Sequence, residues 1–279
     1  MLSDNETLVN ALAKRATEAE RDVEAFKARL RSLSLFDNPQ EAEGFYEAAD
    51  GLQLYRSAFN LAWMGELGVA PKTILDVGAY DGGDAVRFKQ AFPSAHVVAF
   101  EADPDRSDVV GQNVVPFKVE IVAQAAGDTD GTASWFQSED RLNDTGHLGG
   151  QGSFFRHSES YRQRYQHIVQ SETEITVPCL RLDTFCRQRA INDIDLLHVD
   201  VEGAEFQVLT GLGELRPTLI YVEAFSDDFG GWIGSRRAKD VHRLLASRGY
   251  ILAGDFFSDR LYVTYQGYSA ATNCGNIPR

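Results

Sequence analysis

The stretch "TILDVGAYDGGDAVRFK", from Thr73 to Lys89, decides the fold. A near-continuous apolar run leads into Asp76, then into glycines, then into a helical pattern. A run of that kind is a strand buried on both faces. The glycines make a tight turn, and "AVRFKQAF" reads as the helix that follows it, ended by Pro93. Strand, turn and helix in this order form a cradle for a nucleotide-like ligand.

The same alternation continues outward. "HVVAFEA", "VEIVAQAA", "DLLHVDVEG", "TLIYVEAF", "YILAGDFF" and "LYVTYQ" supply six more strands, with helices such as "AEFQVLTGL" and "RRAKDVHRLLASRG" between them. This pattern predicts a mostly parallel sheet covered by helices on both faces. Only a few residues, among them Ser258 and Asp259, separate the last two strands, so they must form a hairpin with one edge strand antiparallel.

The turn disfavours a dinucleotide. That fingerprint requires G-x-G-x-x-G, and Gly78 is followed by Ala79 and Tyr80 instead of a second glycine. Asp76, Asp81 and Asp84 would also repel a pyrophosphate at the helix start. S-adenosylmethionine (SAM) is better matched, because it carries a sulfonium and an ammonium against one carboxylate. Asp76 and Asp81 lie near where those cations would sit. The turn residues Gly78, Ala79, Tyr80 and Gly82 offer backbone N–H groups. Glu101 ends the second strand, where an acid accepts both ribose hydroxyls. The third strand ends in small residues, including Ala126, that leave room for adenine.

Further acids follow at the middle of the sheet. Asp200 and Glu202 end the fourth strand and Glu223 the fifth, so all three reach the cofactor rim. Acids beside buried strands are costly unless paired. Glu205 reads instead as a helix-start residue.

"ILDVGAYDGGDAVRF", "VVAFEADP", "NDTGHLGGQGSFF", "VPCLRLDTF" and "LLHVDVEGAEFQVLTG" together resemble the FkbM family of SAM-dependent methyltransferases, over about residues 72–225. The resemblance implies a class I, Rossmann-like fold: a seven-stranded, mostly parallel sheet with an antiparallel C-terminal edge hairpin. It also implies O-methylation of a hydroxyl on a sugar, glycan or glycosylated natural product. On this pattern Asp76, Gly78 and Asp81 belong to the cofactor turn, Glu101 holds the ribose, and Asp200 and Glu202 face the substrate. His198 departs from the family's usual lysine. It is either a plain strand residue or a base near neutral pH. Two routes for the acceptor proton stay open. Either Asp200, Glu202 or His198 accepts it directly, or Asp200 and Glu223 share a divalent cation with Glu202 or water, and the cation lowers the hydroxyl pKa.

The segment from about 141 to 170 reads as a lid. Arg156, Arg162 and Arg164 with Phe154, Phe155, Tyr161 and Tyr165 form a basic and aromatic island, suited to sugar rings or acidic groups. His147 and Arg156 are its candidate substrate contacts, with Glu223 opposite. No N-P-P-Y-type motif follows the fourth strand, which argues against a nucleobase amine as acceptor.

Residues 1–70 read as a separate helical segment ahead of a methyltransferase domain at 71–279. Val9, Ala16, Val23 and Leu30 with Leu12, Ala19, Phe26 and Leu33 make a heptad pattern. That is either a coiled coil at 9–33, and hence a homo-oligomer, or an amphipathic helix packed on its own domain. A second helix is expected from about Glu41 to Gly65. The net charge of -14 disfavours nucleic acid. No stretch approaches a membrane span, and the N-terminus has no apolar leader. Three cysteines without C-x-x-C fit a reducing compartment, and the expectation is cytoplasmic. A nicotinamide oxidoreductase and a non-catalytic interaction protein are the competing function classes.

Overall fold

The computed structural model describes residues 45–57 except 50, and 70–264 except 143–148, 227 and 257, with single positions at 21, 59, 61 and 64. The a and d positions of the heptads, His147 and Cys274 lie outside the described residues.

The chain opens on a hairpin, β1 (Phe45–Ala49) and β2 (Leu52–Arg56). This overturns the helix expected from Glu41 to Gly65. Ala49 pairs with Leu52, and Gly51 between them has φ 88°. Asp-Gly is a strong signal for a two-residue hairpin turn, because such turns need positive φ. The local turn chemistry overrides the apolar spacing that looks helical.

The central sheet follows: β3 (Thr73–Val77), β4 (His96–Phe100) and β5 (Glu120–Val122). A short β6 (Ala125–Ala126), β7 (Gly131–Trp135), β8 (Ser138–Asp140), β9 (Ile168–Gln170) and β10 (Ile175–Leu180) come next. The sheet is completed by β11 (Leu196–Val199), β12 (Leu219–Glu223), β13 (Tyr250–Phe256) and β14 (Asp259–Thr264). The helices are α1 (Gly83–Ala91), α2 (Pro104–Val114), α3 (Glu159–Arg164), α4 (Leu182–Gln188), α5 (Glu205–Thr210) and α6 (Ala238–Ser247).

Seven strands run in the order β13-β14-β12-β11-β3-β4-β5. The pairs from β5 to β12 are parallel, and β14 is antiparallel to both β12 and β13. The antiparallel strand is therefore inserted beside β12, and its hairpin partner β13 forms the edge. The expected third strand is split. Glu120–Val122 joins the central sheet, whereas Ala125–Ala126 pairs with β10 in a three-stranded sheet with β7.

Side chains alternate between two cores, as the pleat requires. Ile74 packs with Val86 and Phe88 of α1 and Val110 of α2, while Leu75 and Val77 pack with Leu182 of α4, Val208 of α5 and Leu245 of α6. Full burial of each such side chain contributes about 1.5–3 kcal/mol. Chain order reverses between β3 and β11, which opens a crevice above their carboxyl ends, the place where open parallel sheets bind ligands.

Candidate active site

A cavity of about 1290 Å³ sits in that crevice. Single small-molecule pockets run to roughly 300–1,000 Å³, so this one has room for two ligands side by side.

One half lies over β3 and β4. Gly78 and Ala79 both donate their backbone N–H to the Phe100 carbonyl, at 3.1 and 2.9 Å. Gly78 and Gly82 have φ 93° and 89°, and Tyr80 φ 56°. A Cβ on Gly78 would overlap the Asp200 carbonyl, so this glycine lets the turn pack on the end of β11. Glu101 faces the cavity. Its two oxygens accept from the backbone N–H of Tyr80 (3.0 Å) and of Asp103 (2.9 Å). Each oxygen keeps a lone pair for a further donor. Burial pushes the carboxyl up to about 7, against the pull of those N–H bonds and of Arg106. Ala102, Gln124, Ala125 and Ala126 line the adjoining wall.

Two acids expected at the cofactor do not line the cavity. Asp81 accepts from Tyr55 N–H at 2.8 Å and Gly83 N–H at 3.0 Å, so it fastens β2 and caps α1. Asp76 is fully buried, and its Oδ1 lies 2.6 Å from Nδ1 of His198. The turn spends these two carboxylates on the fold. Asp84 does reach the cavity.

His198 sits on β11, stacked on Tyr221 at 5.2 Å with Phe88 edge-on at 5.7 Å. Burial would lower its pKa, but the Asp76 hydrogen bond and the charges of Asp76, Asp84 and Asp200 outweigh it and push it up to about 9. A ring whose pKa is raised in this way favours its protonated form over the free base. It preserves the positive charge that a lysine would carry there.

The other half of the cavity is acidic. Asp200, Glu202 and Glu223 each bring one oxygen to within 4.8 Å of the others. Asp200 directly follows β11, with its N–H bonded to the Val77 carbonyl at 2.9 Å. Glu202 has φ 55°, a strained value for a side chain of this size, and its carbonyl accepts from Ser153 Oγ at 2.6 Å. Glu223 ends β12, and its Oε1 accepts from Ser258 Oγ at 3.0 Å. Burial, with Asp200 and Glu202 adding their charge, raises the Glu223 carboxyl well above its usual range. Burial raises the Asp200 carboxyl as well, so the two acids compete for protons at this wall. Oδ1 of Asp200 has no hydrogen-bond partner. Glu205 accepts from Gly203 N–H at 2.8 Å, in keeping with its reading as a helix-start residue.

Residues 149–170 close one side. Tyr161, Arg164, Tyr165, His167 and Ile168 line the cavity, with Phe225 and Phe229 packed beside Tyr161 and Tyr165. Arg156 does not line it. Its guanidinium donates to the Ser171 carbonyl at 3.1 Å and the Glu172 carbonyl at 2.6 Å, and it lies over the Phe136 ring. The arginine of the island that faces the cavity is Arg164, which lies over Tyr165 and Phe229. Arg162 pairs with Glu159.

Sequence reasoning missed Tyr55 and Ser57 of the β2 segment, Asp140, and Tyr221. Asp50-Gly51 could have revealed the first pair through its turn. Nothing in the sequence around Asp140 or Tyr221 marks them as cavity residues.

The sequence profile of the methyltransferase FkbM domain matches residues 76–252. The chain belongs to the FkbM methyltransferase family. It is a SAM-dependent methyltransferase, with the strand order and switch-point cavity that such an enzyme requires. The 2-O-methyltransferase NoeI of Sinorhizobium fredii (strain NBRC 101917 / NGR234) is 31% identical over 194 residues, covering 67% of this chain and 74% of that protein. Among solved structures, precorrin-6y C5,15-methyltransferase from Geobacter metallireducens GS-15 overlays with a TM-score of 0.39 at 12% identity, covering 78% of this chain and 91% of that one. An O-methyltransferase family protein from Burkholderia thailandensis overlays with a TM-score of 0.37 at 9% identity, covering 71% and 52%. No described helix is long and apolar enough to cross a membrane.

Proposed function

We propose that this FkbM-family chain transfers a methyl group from SAM to a hydroxyl of a sugar, glycan or glycosylated natural product. The observation that carries the reading is the convergence of Asp200, Glu202 and Glu223 at one cavity wall beside the cofactor turn. The 2-O-methyl transfer in NoeI's name agrees with it.

Glu101 suits the ribose hydroxyls, and the small residues Ala125 and Ala126 suit a flat base beside it. SAM supplies, when bound, an electrophilic methyl on a sulfonium. An alcohol is a weak nucleophile at neutral pH and its proton must be taken away. Asp200 is the base. Its Oδ1 has no hydrogen-bond partner, and burial raises its carboxyl, which favours taking up a proton. The raised pKa of His198 offsets the charge of Asp76 behind it. Glu202 orients the acceptor. Aromatic walls at Tyr161, Tyr165 and Phe229 suit the apolar faces of sugar rings.

A second reading follows from the same 4.8 Å grouping. Three carboxylates are hard oxygen donors that fit Mg²⁺ or Ca²⁺, and a cation there would lower the acceptor hydroxyl pKa. The metal-free route predicts that a chelator leaves turnover within twofold. Incubation of the full chain with methyl-labelled SAM and a panel of monosaccharides, oligosaccharides and glycosides tests the function. Label in a sugar methyl ether supports it, and label only in amine or carboxyl acceptors contradicts it. Activity lost in chelator and restored by Mg²⁺ replaces the metal-free route with the second one.

A further inference from the structure

The residues between β2 and Phe59 precede the matched domain, which begins at residue 76. They are nonetheless fastened to the cofactor turn at several points. Asp81 accepts from Tyr55 N–H, and Asp84 accepts from both Ser57 N–H (2.8 Å) and Ser57 Oγ (2.9 Å). Arg87 of α1 donates to the Ser57 carbonyl at 2.9 Å and also to the Phe59 carbonyl. The Phe59 ring stacks on Tyr221 at 4.2 Å, and Tyr221 in turn stacks on His198. A Cβ on Gly83 would overlap the Tyr55 carbonyl, so the first residue of α1 admits this segment only as glycine. The acids of the turn, unused by the cavity at Asp81, are what hold it.

Tyr55 and Ser57 line the cavity. The Tyr55 ring meets Tyr80 of the cofactor turn edge-on at 5.7 Å. Burial and the charges of Asp200, Glu223 and Asp84 keep its phenol protonated well beyond neutral pH. Tyr55 thus stands between the cofactor turn and the two carboxylates that end β11 and β12.

We propose that Leu52–Ser57, together with Phe59, is a built wall of the acceptor site, and that Tyr55 is a specificity-determining residue that contacts the acceptor beside Asp200 and Glu223. The catalytic unit therefore begins ahead of the family domain. Tyr55 offers a hydroxyl to a neighbouring acceptor oxygen and a ring face to its carbon skeleton, the pairing a sugar needs. The inference rests on the methyl-transfer reading of the cavity, and two experiments separate the two.

In the first, Tyr55→Phe and Tyr55→Ala are assayed in the full chain on a sugar that the wild type methylates. Tyr55→Phe should lower kcat/KM about tenfold, mainly through acceptor KM, and Tyr55→Ala at least thirtyfold. S-adenosylhomocysteine binding by calorimetry should stay within twofold, a split that a merely structural role would not give. Wild-type kcat/KM in both variants overturns the proposal. In the second, Tyr55→Cys is labelled with a maleimide, with the wild-type chain as background; Cys179 and Cys186 are buried. Saturating S-adenosylhomocysteine should slow labelling at least fivefold. An unchanged rate overturns the placement of Tyr55 at the site, even if no sugar in the panel is methylated.

Discussion

The two halves of the cavity are built by opposite means. Over β3 and β4 the wall is largely turn backbone and small side chains, with the carboxylates of Glu101 and Asp84. Over β11 and β12 it is ionisable side chains, and Asp200, Glu202 and Glu223 crowd within one 4.8 Å group. A half made of backbone turns and spaced acids suits a ligand that must be held in a fixed pose. A half made of competing carboxylates suits a group that must lose a proton. Holding and chemistry should therefore separate on mutation.

The largest break comes at Asp200. Asp200→Asn removes the base but keeps the shape, so turnover should fall at least about a thousandfold, within the range for a lost general base. S-adenosylhomocysteine binding should survive within a few fold. Retained turnover in an endpoint or initial-rate assay would remove Asp200 from the chemistry.

Gly83→Ala sharpens the comparison from outside the cavity. Alanine favours a helix by about 1 kcal/mol over glycine, but here its Cβ meets the Tyr55 carbonyl. The variant should lower the thermal midpoint and cut acceptor turnover at least tenfold. A midpoint raised above wild type would mean that the β2 segment does not rest on α1.

At the holding half, Glu101→Ala should weaken S-adenosylhomocysteine binding by about 2–3 kcal/mol, from two bonds to a charged group at roughly 1.5 kcal/mol each. Unchanged affinity on calorimetry would take Glu101 out of the ribose site.

The smallest effect is with pH. Ionised Glu101 is the better acceptor for ribose hydroxyls, and its carboxyl titrates at about 7 in the ligand-free protein. S-adenosylhomocysteine affinity should rise about tenfold from pH 6 to 8 and level off above, with Glu101→Gln flat. The stability term runs the other way. A carboxyl raised on folding stabilises the free protein fully below about 4.5, and that contribution is lost as pH rises through 7. Affinity that falls over this window would contradict the protonation state assigned to Glu101.

The holding half was legible because its parts are contiguous: a strand, a glycine turn and a strand-end acid occupy residues 73–101. The acids of the other half were legible too, since each ends a recognisable strand. What they do was less so. Asp76 and Asp81 sit in the turn like cofactor ligands, yet the first is consumed by His198 and the second by Tyr55. Strand alternation fixes which face a side chain takes but not which distant partner reaches it. Arg156 likewise belongs to the basic island but bonds the carbonyls of Ser171 and Glu172, leaving Arg164 to face the ligand space. The hairpin before the domain was hidden because apolar residues at helical spacing outweighed a single Asp-Gly pair.

A crystal structure of the S-adenosylhomocysteine complex tests the division most directly. The account predicts both ribose hydroxyls on the Glu101 carboxylate, adenine against Ala125 and Ala126, and open space among Asp200, Glu202 and Glu223. A ligand lying across those three carboxylates, with Glu101 untouched, would contradict it.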